Sequence, residues 1–217
     1  MSRARVSRPL PANIVLRPAA RRLAGFDFTA QMRRLSEEMV ARTPSLAHVD
    51  LSRVAVCFCQ ARRNVSHGLF ASLTPLRFAG GSPTVVRRGR PYGVQKLSDE
   101  SGREMLYILS FYLPRFMNLD LREKLITVFH ELWHIGPRFD GDIRRHEGRC
   151  FAHTSSQAEY DEEMGRLVDA WLASSPDEAI WEFLRGDFRS LVRNHGQVYG
   201  LKVPRPRLLP LGAALRQ

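Results

Sequence analysis

Apolar positions along the chain alternate between a helical period and a two-residue period, and the changes of period mark the elements. Over residues 29–41, Met32, Leu35, Met39 and Val40 recur at helical spacing and Thr43-Pro44 supplies a stop, which predicts an amphipathic helix. Over residues 51–60, Val54, Val56 and Phe58 alternate with Ala55, Cys57 and Cys59, which predicts a strand buried on at least one face. His67-Gly68 and Gly80-Gly81-Ser82-Pro83 punctuate the chain around short β-like pieces near residues 69–78 and 84–86. Residues 104–113 are aromatic and β-branched, closed by Pro114, and read as a further strand.

Asn118 or Asp120 then caps a helix in which Leu121, Leu125, Ile126, Phe129, Leu132 and Trp133 keep apolar spacing until Gly136-Pro137. A second helix is expected from Ser155 or Ser156 to Ser174, and a third over residues 177–192. Strands followed by helices give an α+β class: a small mixed sheet packed against the helix of residues 121–134, with 104–113 as an edge strand able to align an extended peptide. The expected organisation is a basic, disordered N-terminal arm over 1–24, a folded domain over 25–175, and a C-terminal helix with a Pro-rich basic tail over 176–217.

The net charge of +11 adds a second theme, because it is concentrated at the ends. Residues 1–22 hold six arginines and no acid, residues 185–217 hold seven Lys or Arg against Asp187 alone, and the stretch between them is left at −1. Such termini suit a polyanion such as nucleic acid as an additional partner. Cys57, Cys59 and Cys150 form no CxxC pair and no even framework, which fits a reducing, cytoplasmic setting. The longest uncharged apolar run, residues 105–114, is far short of the roughly 20 residues that span a bilayer, so no membrane helix is expected.

The chemistry is concentrated in His130-Glu131-Leu132-Trp133-His134. Four helical residues turn by about 400°, so His130 and His134 share a face and can grip one metal ion. Zinc suits such a site: it accepts imidazole, leaves a position for water when three protein ligands bind, and lowers the pKa of that water to about 7. Glu131, beside the ligand face, is placed to act as general base and then to pass the proton to a leaving amine. For the third ligand His153 is preferred, since it follows the apolar run of residues 150–152 and precedes a helix start; His146, in a basic turn, is the alternative. Glu159, Glu162 or Glu163 would make the site Glu-liganded. Tyr160 or Arg149 could face a developing oxyanion, and Asp140 or Asp142 could orient a histidine ring. His48, His67 and His195 read as structural or surface residues.

The segment HELWHIGPRFDGDIRRHEGRCFAHTSSQAEYD, His130 to Asp161, resembles the putative phage metallopeptidase family of the zincin type and, more distantly, SprT-like metallopeptidases. The resemblance spans about residues 25–175 and is strongest over 121–172. It implies a zincin-like fold, one catalytic Zn2+, peptide or protein substrates, and peptide-bond hydrolysis with Glu131 as base. The layout of SprT-like proteins, whose third histidine opens another helix, also favours His153 over His146. The chain lacks a four-cysteine zinc ribbon and the HExxHxxGxxH pattern, because Pro137 follows Gly136 and Asp140 stands where the third histidine would be. Two other readings use the same residues: a nucleic-acid-associated binding protein with a structural zinc, and a zinc hydrolase of a non-peptide amide.

Overall fold

The computed structural model describes residues 13–17, 24–61, 68–145 and 157–211. Its elements are β1 (Asn13–Val15), β2 (Phe26–Asp27), α1 (Phe28–Arg42), β3 (Val54–Gln60), β4 (Ala71–Pro75), β5 (Thr84–Arg87), β6 (Arg90–Val94), β7 (Lys96–Ser98), β8 (Tyr107–Leu113), α2 (Leu121–Trp133), α3 (Gln157–Ala173), α4 (Glu178–Trp181), α5 (Phe188–His195), β9 (Val198–Tyr199) and β10 (Leu208–Pro210). The architecture is mixed α/β with small sheets, ordered β3-β8-β4, β10-β6-β5, β1-β7 and β2-β9. Among the described residues no helix is long and apolar enough to cross a membrane.

The β3-β8-β4 sheet organises the core. Strand β8 runs parallel to β3 and antiparallel to β4, so residues 107–113 form the centre of the sheet and not the expected edge. Every residue of this strand except Tyr112 is buried, which explains the unbroken apolar run of residues 107–109. On one face Val54, Val56, Tyr107, Leu109 and Phe111 meet α1, α2 and α3. On the other, Ala55, Cys57 and Ile108 pack with Leu16, Leu76 and Leu97. The alternation along β3 therefore serves two cores.

Phe28, the first residue of α1, is fully buried against Phe58, Phe111 and Phe116, with ring centroids 6.0–6.4 Å apart. Burial of one such side chain stabilises by about 1.5–3 kcal/mol. Asp27 starts this helix by accepting from Ala30 N at 3.0 Å.

Two other expectations change. The single helix over 177–192 is two short helices, α4 and α5, separated by a tight turn and Gly186, which lies in extended conformation. The buried Lys124 of α2 donates through Nζ to Leu184 O at 2.7 Å and Gly186 O at 2.8 Å, taking carbonyls that a continuous helix would use internally. The Pro-rich tail is also engaged, since β10 pairs with β6. Within the span read above as a basic arm, Asn13–Val15 pairs in parallel with β7 and Leu16 is buried.

Candidate metal centre

Helix α2 begins with a reciprocal cap: Asp120 accepts from Glu123 N at 2.7 Å, and Glu123 accepts from Asp120 N at 3.2 Å. Val128, Phe129 and Leu132 face the core, where Phe129 meets Trp171 of α3 edge-on at 6.5 Å. This anchoring presents the last turn of the helix at a fixed angle. His130 lies in that turn and His134 is the capping residue just beyond it, still in helical conformation. Both are half-buried, and their ring centroids stand 4.6 Å apart with the planes nearly perpendicular.

Glu131 points elsewhere, toward the sheet. It is buried, and its Oε2 accepts from the backbone N–H of Leu73 at 2.7 Å. Burial pushes its carboxyl up to about 7, and the Leu73 N–H opposes that shift. The donor comes from the outer edge of β4. Phe70 O and Leu76 N, on either side of the strand, bond to Tyr112 N of β8 and to Leu106 O just before it. By antiparallel alternation Ser72 and Thr74 face β8, while Ala71, Leu73 and Pro75 direct their backbone groups outward.

After His134 the chain reverses through a loop pinned from several sides. Gly136 N donates to Asp142 O at 3.2 Å, and Arg144 N donates to His134 O at 2.8 Å. A Cβ on Gly136 would lie 2.8 Å from Asp142 O, so the close approach requires glycine. Tyr107 reaches from the central strand, donating to Asp142 O at 2.9 Å and accepting from Gly141 N at 3.0 Å. Arg144 Nε donates to Trp133 O, and its guanidinium lies 4.2 Å over the Trp133 ring.

The polar residues singled out above divide into groups. Asp140 and Asp142 build the loop: Asp142 accepts from Gly80 N, Ile143 N and both Nε and an Nη of Arg145, and Asp140 from Arg138 and Asp142 N. The buried carboxylate of Asp142 needs that many donors. Glu162 and Glu163 are solvent-facing and pair with Arg166. His195 packs on Phe26, with centroids 4.9 Å apart. His67, His146, Arg149 and His153, and the side chains of Glu159 and Tyr160, lie outside the described residues.

Among the described residues no three His, Cys, Asp or Glu side chains converge; the pair that does is His130 and His134, with the buried Glu131 next to His130 in the chain but turned to the sheet. That donor set fits a metal that takes nitrogen ligands and needs one more from the chain. The sequence reading missed Leu73, whose N–H holds Glu131, and Tyr107, whose hydroxyl holds the loop. A backbone donor on another strand leaves no sequence signal.

A protein-family model, described as putative phage metallopeptidase, matches residues 29–171. The chain belongs to this family. The matched span runs from α1 to Trp171 of α3 and contains both histidines and Glu131. As a phage metallopeptidase family member the chain is matched to a metal cofactor and to peptide or protein substrates as classes; the SprT-like resemblance is not supported by this match. No match was found among curated proteins or among solved structures.

Proposed function

We propose that the chain is a zinc-dependent peptidase with a zincin-like arrangement, in which His130 and His134 hold one Zn2+ with a third ligand, His153 in preference to His146. The observation that carries the proposal is the pairing of the His130 and His134 rings at the end of α2, with Glu131, next to His130 in the chain, buried and tied to the edge strand of the sheet. When bound, zinc supplies a Lewis acid that acidifies water and polarises a carbonyl.

The chain's own residues do the rest. Leu73 N–H holds Oε2 of Glu131 and leaves Oε1 to take a proton from the attacking water and return it to the leaving amine. The outward backbone of β4 offers carbonyls at Ala71, Leu73 and Pro75 to an extended peptide, the role expected above of residues 104–113. Arg144 N on His134 O holds the chain against the helix end two residues before His146, the first of the two candidate third ligands in sequence.

Metal removal tests this reading. Dialysis against a zinc chelator should abolish cleavage of an unfolded protein substrate, and one equivalent of zinc should restore it. His153→Ala should then lose zinc and His146→Ala should keep it. Full activity in the metal-free protein would overturn the proposal, and the reverse pattern in the two variants would move the third ligand to His146.

A finer test addresses Leu73. Its N–H faces away from β8, and Pro75 already occupies an equivalent outward position, so Leu73→Pro removes the donor without removing a ladder bond. Hydrogen bonds to charged groups contribute about 1.5–3 kcal/mol, so kcat should fall about tenfold or more relative to Leu73→Ala. Equal rates for the two variants would show that this contact does not position the base.

A further inference from the structure

The β10-β6-β5 sheet joins two basic segments that lie a hundred residues apart in sequence. Residues 83–97 contain Arg87, Arg88, Arg90 and Lys96, residues 198–211 contain Lys202, Arg205 and Arg207, and neither stretch holds any of the chain's 22 acids. The pairing of β10 with β6 brings the two stretches together, and all seven side chains are exposed.

The hairpin tip is built against its own stability. Arg87 and Arg90 are direct cross-strand partners, and like charges in that position repel. Arg88 and Gly89 form the two-residue turn, with φ of 50° and 73°. That turn favours Asn, Asp or Gly at its first position, so an arginine there is strained. None of the three arginines makes an ion pair among the described residues. Val85 pairs with Tyr92, which places Tyr92 on the same face as Arg87 and Arg90. Three arginines at the end of a twisted ribbon, with an aromatic on the same face, suit a dense row of phosphates.

We propose that the β5–β6 hairpin, backed by β10, binds duplex DNA, with Arg87, Arg88 and Arg90 on its phosphates. A two-stranded ribbon fits the major groove, which is about 12 Å wide. Arginine outnumbers lysine five to two across these two stretches, and the hairpin tip is all arginine, which favours bidentate phosphate contacts. A membrane-seeking tip would instead carry Trp, Phe or Leu.

The test uses the full chain with fluorescence anisotropy on a 20-base-pair duplex over a salt series. Each neutralised phosphate contributes a slope of about 0.9 in log affinity against log salt. The triple variant Arg87→Gln, Arg88→Gly, Arg90→Gln should lower the slope by about 2 to 3 and weaken binding at least tenfold at low salt. Arg88→Gly alone should lower the slope by about 1 while its Tm holds or rises, since glycine relaxes the turn; loss of binding through misfolding would lower both. Peptidase activity on a short neutral peptide should be unchanged in both variants, which separates this result from any failure of the metal site. Wild-type slope and affinity in the triple variant would overturn the proposal. So would tighter arginine-dependent binding to phosphatidylserine vesicles than to the duplex.

Discussion

Glu131→Gln should retain zinc at the wild-type ratio and lose peptidase activity by a factor of about 10² to 10⁴, the range associated with a positioned general base. The substitution isolates proton transfer. Glutamine keeps the shape of the side chain, and its carbonyl oxygen can still accept from Leu73 N. What disappears is an oxygen that can take and return a proton, which corresponds to about 3–5 kcal/mol of barrier. Because Glu131 is buried, exchanging a carboxylate for a neutral amide leaves no new charge to solvate, so the variant should fold. Metal content by atomic absorption and kcat on an unfolded substrate are the two readouts. Activity within tenfold of wild type would remove Glu131 from the mechanism, and loss of zinc would make it a ligand.

Lys124→Met should lower stability by about 2–4 kcal/mol while leaving zinc content and kcat intact at low temperature. Lys124 is 2 % exposed, and its ammonium holds two carbonyls at the junction of α4 and α5. Methionine fills a similar length but leaves both acceptors without a donor. The gain from no longer desolvating a cation offsets part of that loss; burial already holds the Lys124 pKa below its usual range. For a chain of this size the change corresponds to a Tm lower by about 5–15 °C. The contrast is Arg122→Ala, which breaks the exposed pair with Asp169 and should shift stability by less than about 1 kcal/mol. A Lys124→Met protein that melts with wild type would show that the junction carries little of the fold's stability.

The helix carrying the site was legible because local rules converge there: a cap at Asp120, apolar spacing, and a Gly-Pro stop. The alternation along β3 was equally clear. The rank of residues 107–113 within the sheet was not, because a fully buried run has the same composition at a centre as at a covered edge. The break in the C-terminal helices was hidden for a related reason. It depends on Lys124, some sixty residues earlier, which reads as a polar helix position until its two carbonyl partners are known. The bonds of the Asp142 carboxylate to Gly80, Ile143 and Arg145 were hidden as well, because Gly80 lies some sixty residues away in the chain.

The outward edge of β4 also bears on how copies of the protein behave toward one another. Of its three outward positions Pro75 has no N–H and that of Leu73 is held by Glu131, so Ala71 alone is left to donate. An edge short of donors is a poor template for a neighbouring copy, and the opposite edge of the sheet is covered where Phe58 N meets Leu201 O. The contact that sets the carboxylate in place thus also guards the molecule against sheet-to-sheet aggregation.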